Sequence, residues 1–162
     1  MNEILCQTVS YFVASPIFDP NRAGPSTAVI VDGEFFLIDV GPGCWDAVRN
    51  AGLPAAALSG VLLTHFHSDH IGDLGEVMTQ SWITGGPQDR GRGPLPVYAP
   101  PGIDKIVAGF NRAYELDAEY RELHHSREYM SSEHAGIVGV EVVVPEAEGA
   151  ALWEQEVVVL DK

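Results

Sequence analysis

The stretch "SGVLLTHFHSDHIGDL", Ser59 to Leu74, limits the folds open to this chain more than any other segment. Ser59–Thr64 reads as a strand apolar enough to be buried on both faces, which belongs inside a layered sheet. It runs straight into His65, His67 and His70, three of the six histidines in the chain, with Asp69 among them. A core would fill such positions with apolar side chains, and a solvated loop would favour Gly, Asn, Ser or Lys. A buried strand that ends in imidazoles and a carboxylate marks that end as a place of chemistry.

The flanking sequence supplies the layers. "TAVIVDGEFFLIDVGPG" reads as a hairpin, with strands Thr27–Val31 and Phe35–Val40 joined by Asp32-Gly33 and stopped by Pro42 and Gly43. "CWDAVRNAG" is a short helix closed by Gly52. After the cluster, Leu74–Trp82 has helical spacing, "TGGPQDRGRGPLP" is a loop, and "PVYAP" is a short strand. Ile103–Tyr114 is a helix with Ile106, Val107, Phe110 and Tyr114 on one side, and "DAEYRELHHSREYM" continues as a polar helix or a pair of turns. "GIVGVEVVVPE" and "QEVVVLD" are late strands. This order predicts an α/β sandwich in a single domain over residues 1–162, and excludes a helical bundle or a pure β-barrel.

Composition narrows the function classes. No apolar run is long enough to cross a bilayer, so no membrane partner is expected. The start, "MNEILCQTVSYFVASP", has no cationic segment, so it is not read as a signal peptide. Cys6 and Cys44 make no disulfide framework and read as small buried side chains. A reducing, cytoplasmic setting follows as the expectation. Net charge is −14, with 11 acidic and 6 basic side chains in residues 1–114, and 12 and 3 in residues 115–162. That balance serves solubility and argues against a broad nucleic-acid surface in the second half.

His65 and His67 lie two apart at the end of a strand, and positions i and i+2 of an extended backbone point the same way. Two imidazoles can then converge on one ion. Asp69 and His70 follow where the chain must turn, and can face a second ion beside the first. Nitrogen and carboxylate donors suit Zn²⁺, with Mn²⁺ or Fe as alternatives. Two such ions can share a hydroxide and clamp a hydrolytic displacement.

"LLTHFHSDHIGDL" resembles the H-x-H-x-D-H motif of the metallo-β-lactamase superfamily of metal-dependent hydrolases. "FFLIDVGPG" resembles the strand and glycine loop before the site, while "PNRAGPSTAVIV" and "LPVYAPPGIDKIV" resemble the ribonuclease Z-like branch, with its arylsulfatase-like and other esterase relatives. The resemblance covers about Asp19 to Tyr129. It implies an αββα sandwich with two metals, zinc by expectation, at one edge of its sheets. It implies that His65 and His67 bind the first metal and Asp69 and His70 the second. Asp69 would also act in catalysis by steering, or taking a proton from, the attacking water. Asp39 would be the buried supporting aspartate, a role close to that of any aspartate ending a strand before a glycine turn.

Three departures accompany the resemblance. The chain reads "SYFVASPIFDP" where the family opens on a Gly-Thr-Gly turn. It reads "IGDLGEVMTQSWITGG" where ribonuclease Z proper has a Pro-Gly-Leu-like segment, which leaves the wider hydrolase branch open. The family's remaining ligands, two histidines and a bridging aspartate in a Gly-Asp-Thr-like turn, find no match. His124 and His125 sit among Arg and Glu as a solvated helix, His134 reads as loop, and none is assigned as a ligand. The expectation is an N-terminal half of the sandwich, truncated at its C-terminus, with one apolar sheet face exposed and open to dimerisation. The function expected is hydrolysis of a phosphodiester or other ester by metal-bound hydroxide, on RNA or a small-molecule ester. Arg90 and Arg92 are available to phosphates, or form a solvated loop. The alternative is a non-catalytic copy that binds metal weakly or serves as an interaction module.

Overall fold

Asp32 and Gly33 both adopt positive φ, 50° and 88°, the pair a two-residue hairpin needs to match strand twist. They join β2 (Ser26–Val31) to β3 (Glu34–Val40). The computed structural model describes residues 6–11, 23–85 and 93–143. β1 (Cys6–Tyr11), which hydrophobic patterning does not single out, pairs antiparallel with β2. Beyond β3 come α1 (Cys44–Asn50), a 3₁₀ turn (Ala55–Ala57), β4 (Leu58–Leu62), α2 (Ser68–Ile71) and α3 (Leu74–Gly85). β5 (Leu95–Ala99), α4 (Ile103–His125), a second 3₁₀ turn (Ser132–His134) and β6 (Ile137–Glu141) follow.

The strands form one sheet in the order β1-β2-β3-β4-β5-β6, and β3 to β6 run parallel. One face carries the core. Phe35, Leu37, Val61, Val97 and Ile137 meet Trp45 and Val48 of α1, Leu74, Val77 and Met78 of α3, and Ile103 of α4. The other face presents Phe36, Ile38, Leu62 and Tyr98, all half-buried, and Val138 and Val140, which are 47% and 38% exposed. Ser59–Thr64 was expected to be covered on both faces. The strand is Leu58–Leu62, and among the described residues its helical cover lies on one face, with Leu62 half-buried on the other. The choice between a polar helix and a pair of turns resolves as one helix, because α4 runs unbroken for 23 residues. "QEVVVLD", Arg90 and Arg92 lie outside the described residues.

Candidate metal centre

The site forms where β3 and β4 end side by side. Ser26 pairs with Val40 and Thr27 with Ile38, so Asp39 is an extra residue in β3 with no opposite number. It bulges at φ 56°, a left-handed conformation that aspartate tolerates better than most side chains. The bulge turns its carboxylate to the end of β4. There it accepts from the Thr64 N–H at 2.8 Å, from the Thr64 hydroxyl at 2.8 and 3.0 Å, and from His70 Nδ1 at 2.8 Å. Asp39 is only 6% exposed, so these bonds replace the water it has lost.

With His70 Nδ1 held against Asp39, its Nε2 is turned the other way and lies 3.7 Å from Asp69 Oδ2. His65 Nε2 lies 3.0 Å from His67 Nδ1. The His65 ring is 4.6 Å from that of His67 and 4.0 Å from that of His70, centre to centre. Two nitrogens bound to one tetrahedral zinc at its usual bond length stand about 3.3 Å apart. Each pair is within a few tenths of an ångström of that spacing, so the donors suit a divalent ion. Among the described residues, no three His, Cys, Asp or Glu side chains gather as one metal-binding group.

Close packing holds the cluster. A Cβ on Gly41 would lie 2.2 Å from the Asp69 carbonyl oxygen, so only glycine lets the loop after β3 pass under α2. Asp73 N–H donates to the Val40 carbonyl at 2.9 Å, and its Oδ2 accepts from the Trp45 N–H of α1 at 3.0 Å. Asp73 thus pins the start of α1 to the turn before α3. Thr64, Gly41 and Asp73 are supports that sequence reasoning missed. Their only sequence signal is adjacency to the cluster and to Asp39.

The other titratable candidates lie elsewhere. His124 and His125 end α4, exposed, with ring centres 4.5 Å apart. His134 lines a cleft of about 350 Å³ with Glu34, Ser59, Pro96 and Met130, at the N-terminal ends of the parallel strands. That is the opposite end of the sheet from His65. Cys44 is buried under the sheet, 3.0 Å from Ser26 Oγ, and burial pushes its thiol up to about 11.

The ends of β3 and β4 thus bring His65, His67, Asp69 and His70 together beside one buried aspartate, on a sheet backed by helices. The family model of the metallo-beta-lactamase superfamily matches residues 20–105, more than half of the chain, and the chain belongs to that family. Within it, the chain is 48% identical over 112 residues, 69% of its length, to "Ribonuclease Z" of Mycolicibacterium paratuberculosis. It spans 39% of that relative's length. Human tRNase Z, short form, has a similar fold with a TM-score of 0.56 at 20% identity, over 84% of this chain and 43% of that one. The metallo-beta-lactamase fold protein YhfI from Bacillus subtilis matches with a TM-score of 0.54 at 18% identity, over 84% and 44%.

Proposed function

We propose that this chain is the N-terminal part of a single metallo-β-lactamase domain, and that the whole domain is a metal-dependent hydrolase of ribonuclease Z type acting on a phosphodiester of RNA. The observation that carries the reading is the facing of His65 Nε2 and His67 Nδ1 at 3.0 Å beside the Asp69–His70 pair. Similarity to ribonuclease Z at 48% identity supports the phosphodiester over a small-molecule ester, despite the absent Pro-Gly-Leu-like segment.

In this reading His65 and His67 hold one ion, and Asp69 and His70 a second. Zinc is the natural choice for imidazole and carboxylate donors, with Mn²⁺ or Fe as alternatives. Bound there, such ions supply Lewis-acid activation of water and of the scissile ester. The residues of the chain do the rest. Asp39 fixes the His70 ring through Nδ1, so that Nε2 faces outward. Asp69 takes the proton of the attacking water or steers it. The exposed side of His67 leaves room for substrate. The absence of a larger donor group among the described residues favours a second reading, a weakly binding, non-catalytic module. No described helix is long and apolar enough to cross a membrane, and a cytoplasmic setting stays part of the proposal.

The test compares the 162-residue chain with a form extended by the segment its relatives possess. Both are assayed with Zn²⁺ or Mn²⁺ on a chromogenic phosphodiester, a chromogenic ester and a precursor tRNA. The extended form should retain two metals and cleave the phosphodiester and the tRNA. No metal and no turnover in either form would sink the enzyme reading and leave the interaction module.

A further inference from the structure

We propose that Thr64 is a positioning residue that fixes the tautomer of His65 before any metal arrives. The inference rests on the metal reading of the cluster only for its consequence. Its premise is a hydrogen-bond chain already present. The Thr64 hydroxyl has one proton and sits 2.8 and 3.0 Å from the two Asp39 carboxylate oxygens. An ionised carboxylate only accepts, so the hydroxyl proton goes to Asp39. The same oxygen lies 3.0 Å from His65 Nδ1, where it has lone pairs left to offer. His65 therefore carries its proton on Nδ1, and Nε2 keeps its lone pair.

That lone pair points at His67 Nδ1, 3.0 Å away. Two lone pairs at this distance repel, so in the metal-free chain His67 carries its proton on Nδ1 and donates it to His65 Nε2. The pair is thus asymmetric. His65 is ready to ligate as it stands, and only His67 must move its proton to Nε2 when an ion enters. Asp39 sets His70 directly and His65 through Thr64, so one buried carboxylate orients a donor in each pair.

The experiment is long-range ¹H–¹⁵N NMR of the 162-residue chain, metal-free and with Zn²⁺, in wild type, Thr64→Val and Thr64→Ser. Wild type and Thr64→Ser should show His65 and His67 protonated on Nδ1 without metal, and His67 protonated on Nε2 with it. Thr64→Val, which keeps the shape and loses the hydroxyl, should release His65 towards the Nε2–H form. It should also weaken zinc binding by roughly 10- to 100-fold, the usual loss when a partner of a ligand is removed. His65 protonated on Nε2 in wild type would overturn the proposal, as would an unchanged His65 in Thr64→Val. If Thr64→Val does not fold, Thr64→Ala takes its place, with the same release of His65 expected and an unchanged His65 overturning the proposal. Nδ1–H on His65 together with no zinc binding by wild type would uphold the tautomer assignment and defeat the metal reading instead.

Discussion

At the scale of single residues, Asp39 does more than its place at a strand end announces. The sequence shows an aspartate before a glycine turn. It cannot show the bulge, because a bulge is a mismatch with β2 and exists only once the strands pair. Replacing Asp39 with Asn leaves an amide NH₂ facing some of the donors from Thr64 and His70. The expected loss is about 1–3 kcal/mol of stability, measured by denaturant unfolding, together with weaker zinc binding by titration. His67→Ala removes one of the two donors proposed for the first ion and should abolish most zinc retention by elemental analysis, with unfolding little changed because the side chain is exposed. Cys44 gives a pH signature. Its folded pKa of about 11 lies above the ordinary 9.0, because burial favours the neutral thiol. Its contribution to stability is whole below pH 9.0 and is lost as pH rises towards about 11. The alkaline fall in stability should be shallower in Cys44→Ala, and an identical fall in both proteins would remove Cys44 as its cause.

Among elements, the hairpin and the strand into the histidines were legible because alternating apolar residues and an Asp-Gly turn have few other solutions. The length of α4 was not. Its second half is polar, with only Tyr114, Asp117, Ala118, Arg121 and Glu122 half-buried on the inner side, so hydrophobic spacing fades before the helix ends. Local pairing carries it on, as in Arg121 Nε to Asp117 Oδ2 at 2.7 Å. Two glycines separate packing from propensity. Gly41→Ala should force the Asp69 turn outward, given the 2.2 Å approach, and lower both stability and metal stoichiometry. Gly109 lies in α4 with open space, clear to 4 Å, where an alanine methyl would stand, so Gly109→Ala should stabilise by up to about 1 kcal/mol in the same denaturant assay. Destabilisation by Gly109→Ala would show that the outer side of α4 is covered.

For the whole molecule, the sandwich pattern was readable, and among the described residues the helices lie on one face of the sheet. The strand sequence alone cannot say which segments cover the second face, because cover is a property of other residues. Phe36, Ile38, Leu62, Tyr98, Val138 and Val140 form an apolar surface of the kind that drives association. The paired change Val138→Lys and Val140→Lys should reduce self-association of the 162-residue chain in sedimentation. In an extended form that supplies the second layer, the same change should instead destabilise by several kcal/mol. Equal behaviour of the two forms would mean that this face is not where the second layer packs.

The bulge at Asp39 has a consequence for adaptation. Its carboxylate is a common root, one hydrogen bond from His70 and two from His65, so damage there is felt by both donor pairs at once. A lineage that needed a different ion in only one position could not begin at this root. On the proposed ligand set, it would have to change the exposed rim, His67. Divergence in metal preference should therefore appear first at His67, with the buried foundation the last part to move.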